Sequence, residues 1–291
     1  MKIVGIVRYA IPNAFSGIKT VRERDGVLGV KSRDVIKLYE DPYFTDRFNV
    51  FYNITLESFK NQTNKDFILC IYHTDQIPED KKRLFDKIEK EYPFVRCVYV
   101  PDDKMPIPED LKEQNMLTFR IDNDDGVPVD FIDRLKNTID STDEINFAIT
   151  IPKIRKIMRV GEDEYKTVTA NYPSNSMGEA YYTNKNKTIM DLGNHTNIHK
   201  RFKTKILNGN GGLQIINSYN VANKFEKKNN YKDKKILNTE QIKELLEKEK
   251  YYIGDLSCLP ICKGETNGQS VSNNSSIQHR KVPRKMFKFH Y

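Results

Sequence analysis

Long apolar runs are missing from this chain of 291 residues. No stretch of about 18 consecutive apolar residues occurs, so no membrane-spanning helix is expected. Cysteine is scarce: the four (Cys70, Cys97, Cys258, Cys262) do not make a disulfide framework in a chain this long. Cys70 and Cys97 fall in strand-like apolar runs and read as core residues. Cys258 and Cys262 have no second Cys or His pair at zinc-finger spacing. The expectation is a reduced, cytoplasmic protein. No cleavable leader is expected either. The opening MKIVGIVRYAIP has a short apolar run, an interrupting Arg8 and no small-residue cleavage site, so it reads as the first buried strand. No internal repeat is visible.

What the chain does hold is apolar and charged in similar measure. Hydrophobic residues make up 38%, with 15 Phe and 16 Tyr, enough for a sizeable core. The net charge is +8, but 40 Asp and Glu are spread among 48 Lys and Arg. That dispersion argues against a nucleic-acid footprint, and no nucleic-acid partner is expected. Lysine-rich segments at 224–235 and 280–288 read as solvated faces, or as contacts for an anionic substrate or the anionic face of a membrane.

In order, apolar periodicity gives a strand at 3–7 and a poorly patterned excursion over 13–42. An amphipathic helix follows through Phe48, Phe51, Tyr52, Leu56 and Phe59. Then come a strand at 67–72, a helix at 79–92 stopped by Pro93, and a strand at 95–100. The pattern continues with a strand at 117–121, a helix beginning at 129–135 and a strand at 145–151. Strands alternating with helices predict an α/β, Rossmann-like fold with a mainly parallel central sheet flanked by helices. Beyond 153 a hairpin pattern appears around Gly161, then an Asn/Ser/Tyr/Gly-rich stretch at 171–186 that suits a binding loop. A short strand or helix start is expected at 213–217, and a helix capped by Asn238 runs to about 251. The division expected is 1–152 as an α/β half, 153–262 as a second half of the same domain, and 263–291 as a flexible basic tail.

The central stretch is Leu117-Thr118-Phe119-Arg120-Ile121-Asp122-Asn123-Asp124-Asp125-Gly126. If the strand continues, alternation sends Asp122 and Asp124 to one side. Paired carboxylates at a strand end suit a hard cation such as Mg2+ or Mn2+, which can in turn hold a diphosphate. The ordinary alternative is an acidic turn. Arg8, just past the first strand, is placed to meet a phosphate or nucleotide, since ligands gather at strand carboxyl ends. His73 and Asp75, at the end of the second strand, occupy the same edge. His195 and His199 lie four residues apart; His195, in a Gly/Asn-rich loop, is the one expected to complete a metal site.

These stretches together resemble the putative rhamnosyltransferase family, glycosyltransferases related to the GT-A nucleotide-sugar class. The likeness rests on Val7-Arg8-Tyr9, on Arg47-Phe48 with Phe51, and on the run from Leu56 to Phe67 that contains Gln62-Thr63. It rests most on Arg120-Ile121-Asp122-Asn123-Asp124-Asp125, and loosely on Leu213 to Asn217 with Asn220 and Asn223. Asn217 stands where the resemblance leads one to expect histidine. The resemblance implies a GT-A-like fold with an acceptor-side C-terminal extension, a nucleotide-sugar donor, and a glycan or lipid-linked acceptor. Asp122 would face the ribose or the metal, Asp124 would bind Mn2+ or Mg2+, and Arg120 and Asp125 would help hold the donor. An inverting reaction needs a carboxylate base, for which Glu179 and Asp191 are the candidates; a retaining one does not. Two other classes stay open: a metal-dependent nucleic-acid phosphoryl-transfer enzyme, and a non-catalytic sugar-binding relic. The basic tail, with Arg280, Lys281, Arg284 and Lys285 among Met286, Phe287 and Phe289, is a candidate peripheral membrane contact.

Overall fold

A computed structural model describes residues 1–11, 35–217 and 231–262. Residues 13–34 of the expected excursion over 13–42, most of the lysine segment 224–235, Asn220, Asn223 and the basic tail 263–291 lie outside the described residues.

The first half alternates as expected. β1 (Lys2–Ala10) is followed by a helix that runs unbroken from α1 (Tyr43–Val50) through a π-helical segment (Phe51–Leu56) into α2 (Glu57–Lys60). Then come β2 (Ile68–Thr74), α3 (Glu79–Glu91), β3 (Val95–Val100), β4 (Met116–Asp122), α4 (Phe131–Asp140) and β5 (Phe147–Thr150). The second half supplies the hairpin β6 (Lys153–Gly161) and β7 (Glu164–Asn171), then β8 (Ala180–Thr183) and α5 (Ile198–Arg201). It ends with β9 (Thr204–Ile206), β10 (Leu213–Ile216), β11 (Tyr231–Leu237) and α6 (Thr239–Lys248).

Seven strands form the central sheet in the order β3-β2-β1-β4-β8-β5-β9. It is mainly parallel; β8 alone runs antiparallel to both its neighbours. The architecture is the α/β, Rossmann-like class that the alternation predicted. β8 lies inside the stretch expected to be a loop. Four residues, all buried, carry no readable alternation, and pairing with β4 and β5 rather than local pattern makes them a strand. β10, β6, β7 and β11 form a second sheet.

The main core lies on one face of the central sheet. Val7, Leu69, Phe119 and Phe147 meet Phe51, Phe59, Phe85 and Phe131 from the helices. Full burial of each such ring contributes about 2–3 kcal/mol. The opposite face packs Val4, Ile6, Cys70 and Tyr181 against Ile189, Leu192 and Ile198. A third cluster joins the sheets: Val50 and Ile54 of the long helix pack with Ile157, Leu213, Ile215, Ile242 and Leu246. Among the described residues no helix is long and apolar enough to cross a membrane.

Candidate functional site

β1 and β4 lie side by side and parallel, with Arg8 and Asp122 as register partners near their carboxyl ends. The chain passes from β1 to β2 and β3 on one side, then returns to β4 on the other. A crevice opens at such a reversal of strand order in open α/β sheets. Three carboxylates, Asp122, Asp124 and Asp125, lie at the end of β4 beside this reversal.

β4 delivers Asp122 after six buried residues and then stops. Asp125 donates its N–H back to the Asp122 carbonyl at 3.2 Å, closing a turn over 122–125. Strand alternation therefore places Asp122, while the turn and its neighbours place Asp124. Asp122 Oδ1 lies 3.4 Å from Arg8 Nη2, and its Oδ2 accepts from Ser176 Oγ at 3.0 Å. Asp124 Oδ2 accepts from Asn217 Nδ2 at 3.2 Å. Asp125 is fully buried: Oδ1 accepts from the Ile215 N–H at 3.3 Å, and its carbonyl accepts from Thr55 Oγ1 at 2.8 Å. Its Oδ2 has no hydrogen-bond partner among the described residues. Burial, then the charges of Asp124 and Asp122, push the Asp125 carboxyl well above the usual range.

The turn is braced from two sides. Gly126 exchanges backbone hydrogen bonds with Leu213 at 2.9 and 2.8 Å, tying the acids to the second sheet. On the other side Arg47 of α1 donates Nη2–H to the Tyr9 carbonyl at 2.6 Å, with its Cζ 4.9 Å from the Tyr9 ring centroid. Arg47 also lies in the field of Asp124, and its Nη1 has no partner among the described residues.

The other expected residues fall in several places. His195 begins a short 3-10 turn (His195–Asn197) and is half-buried, within electrostatic reach of Arg120, Asp122 and Arg8. Burial, then Arg120, holds its pKa below the ordinary histidine value, against an opposing pull from Asp122. Arg120 and Glu179 face each other across the end of the β4–β8 pairing and form a buried ion pair. Burial pushes Glu179 up to about 7, with Arg120 pulling the other way. A carboxylate with no exposed surface, bound to Arg120, does not meet an acceptor hydroxyl in this arrangement.

Asp191 is exposed and closes a capping box with Thr188 at the start of a 3-10 turn (Ile189–Leu192). His73 is wholly buried among Tyr9, Phe85 and Tyr99, with Nδ1 3.2 Å from Tyr39 Oη. Burial lowers it to about 3, so it is a neutral core histidine at the sheet edge rather than an open ligand. Asp75 is exposed just beyond β2. His199 accepts or donates at Nδ1 with Ser174 Oγ, 2.8 Å away.

Ser176, Thr55 and Gln62 were not among the expected site residues. Gln62 is buried, donates to the carbonyls of Ser58 (2.9 Å) and Pro128 (2.8 Å), and accepts from the Ile132 N–H (3.1 Å). It thereby fixes the segment leaving the acids to the start of α4. The Gln62-Thr63 pair stood in the family-like stretch, which was the available signal; a lone Ser in a polar loop gives none.

Among the described residues no three His, Cys, Asp or Glu side chains gather into a closed metal cage. The donor set still fits a hard cation. Such ions take one or two carboxylates and complete their shell with water and substrate phosphates. Asp122 and Asp124 supply carboxylate oxygens, and Asn217 sets an amide beside Asp124.

The family described as "Putative rhamnosyl transferase" matches residues 2–229 of the chain. No curated protein matches it. Among solved structures, S. aureus TarS 1-349 in complex with UDP-GlcNAc is similar at 10% identity, covering 76% of this chain and 60% of that one, with a TM-score of 0.41. A structure of S. aureus TarS is similar at 11% identity over 74% of this chain and 37% of its own, with a TM-score of 0.40. The chain thus spans less than two thirds of the length of these solved chains.

Proposed function

The chain belongs to the putative rhamnosyl transferase family, and from that premise we propose that it moves a sugar from a nucleotide-diphosphate donor to a glycan or lipid-linked acceptor. The observation that carries this reading is the placement of Asp122, Asp124 and Asp125 at the carboxyl end of β4, beside Arg8 of β1, where the strand order reverses. In this proposal Asp122 and Asp124 hold Mn2+ or Mg2+, with His195 and Asn217 close by. The ion when bound neutralises charge on the departing diphosphate as a Lewis acid. Arg8 offers a second positive group on the same rim. Asp125, deeper and drawn toward its neutral form, holds the turn in shape through Ile215 and Thr55.

A two-metal nucleic-acid chemistry would call for acids contributed by separate strands. The three here come from one strand end and the turn that follows it. Sugar transfer is the better supported reading.

A thermal-shift series with UDP, GDP and dTDP, each with Mn2+ or with EDTA, tests it. Ligands that bind only the folded state raise the midpoint, by an amount set by ligand concentration over Kd. The expected result is a rise with one of the three, larger in Mn2+. No rise with any of them in either condition overturns the proposal.

A further inference from the structure

We propose that Arg120 and Glu179 are positioning residues: their buried pair fixes the Gly193 carbonyl, and through it the turn that presents His195 to the acids at the sheet's mouth. The inference rests on the sugar-transfer reading and deepens it by assigning the support of that site.

Every nitrogen of the Arg120 guanidinium is already engaged. Nε and Nη2 donate to Glu179 Oε2, the first at 3.1 Å, and Nη1 donates to the Gly193 carbonyl at 2.9 Å. Three of its five N–H groups are therefore committed within the protein, each on a different nitrogen, which fixes the plane of the guanidinium. The pair is anchored by backbone on both sides, since Arg120 N–H donates to the Glu179 carbonyl at 3.0 Å and Gly178 N–H to the Arg120 carbonyl at 2.9 Å. The strands thus fix the fork, and the fork fixes the turn.

The turn depends on outside support. Gly193 sits at φ 78°, ψ −140°, a conformation that L side chains rarely adopt. The preceding carbonyl, of Leu192, accepts from Arg201 Nη2, so two successive carbonyls are each held by an arginine. Two residues on, the His195 imidazole lies within reach of the charges of Arg120, Asp122 and Arg8.

Stability alone is a weak reason for this arrangement. A buried ion pair is often no better for stability than apolar side chains of the same volume. Glu179 Oε1, at zero exposure, also has no hydrogen-bond partner among the described residues, which is costly. The return on that cost is a fixed orientation for the turn.

The test is a double-mutant cycle read by nucleotide affinity. Dissociation constants of UDP, GDP and dTDP, in Mn2+ and in EDTA, are measured by calorimetry for wild type, Glu179→Gln, His195→Ala and the double variant. Glu179→Gln keeps the volume but weakens the hold on Arg120. The expected result is an affinity loss of about five- to tenfold in Glu179→Gln that disappears when His195 is already Ala, since coupled residues are non-additive. Additive effects, or no effect of Glu179→Gln, overturn the proposal and leave the pair as a brace for β4 and β8. Should Glu179→Gln fail to fold, Gly193→Ala disturbs the same carbonyl without touching the ion pair, and its cycle with His195→Ala is read the same way. If wild type binds none of the three nucleotides, the sugar-transfer reading falls and takes this inference with it; binding by wild type with additive losses removes this inference alone.

Discussion

Asp125 shows how much can depend on one carboxyl group. It is sealed inside, bonded to Ile215 and Thr55, and crowded by two other acids. Its folded-state pKa is raised, so between the unfolded and folded values the folded protein keeps a proton that the unfolded chain has released. Stability from this group is therefore full below the ordinary carboxylate value and is lost as pH rises through the window above it. Asp125→Asn mimics the protonated form. It is expected to raise the melting temperature at neutral pH and to bring no gain near pH 3.8, the unperturbed value. A pH series of thermal melts checks this; an Asn variant destabilised equally at every pH would contradict it. At this scale the sequence was partly legible. The acids announced themselves by following an apolar run. The partners that decide their behaviour did not: Ser176, Asn217 and Thr55 lie 54, 93 and 70 residues away from the groups they touch. His73 was misleading because position at a strand end says nothing about whether the ring points into solvent or into Phe85.

Among the elements, the long helix from Tyr43 to Lys60 does more than its amphipathic pattern suggests. Periodicity revealed its apolar stripe but not the π-helical segment from which Thr55 reaches Asp125. Gln62, just past its end, satisfies an orphan N–H at the start of α4 and two carbonyls. Gln62→Ala would leave all three groups buried without that partner, and is expected to cost about 2–3 kcal/mol. Urea unfolding measures it; a loss below about 0.5 kcal/mol, the range of an ordinary surface change, would contradict the bracing role. Strands β1 to β5 could be read from apolar runs bounded by turn residues. β8 could not, because its place in the sheet comes from partners on either side and its length is only four residues.

At the scale of the whole molecule, the two sheets are joined through a shared helix and the Gly126–Leu213 bridge. Val50 and Ile54 belong to the cluster built on Leu213, Ile215 and α6, while Phe51 and Phe59 of the same helix belong to the main core. Gly211 packs so tightly that a Cβ there would lie 1.8 Å from the Lys153 carbonyl. The sheets are therefore expected to unfold together, in one transition seen alike by far-UV circular dichroism and tyrosine fluorescence. Two separated transitions would show instead that the second sheet is an independent unit. The parallel core was legible because alternation of strands and helices is a local signal; the docking of the second sheet on the acid turn depends on contacts between distant segments.

The central claim is that the acids at the mouth of β4 act on a nucleotide sugar. Its most direct test is release of nucleoside diphosphate from UDP-, GDP- and dTDP-sugars in Mn2+, by wild type and by Asp124→Ala, with folding of both confirmed by circular dichroism. The account predicts measurable turnover by wild type on at least one donor, its loss in EDTA, and a fall of about a hundredfold or more in a folded Asp124→Ala variant. Equal turnover by the two proteins, or full activity in EDTA, would contradict it.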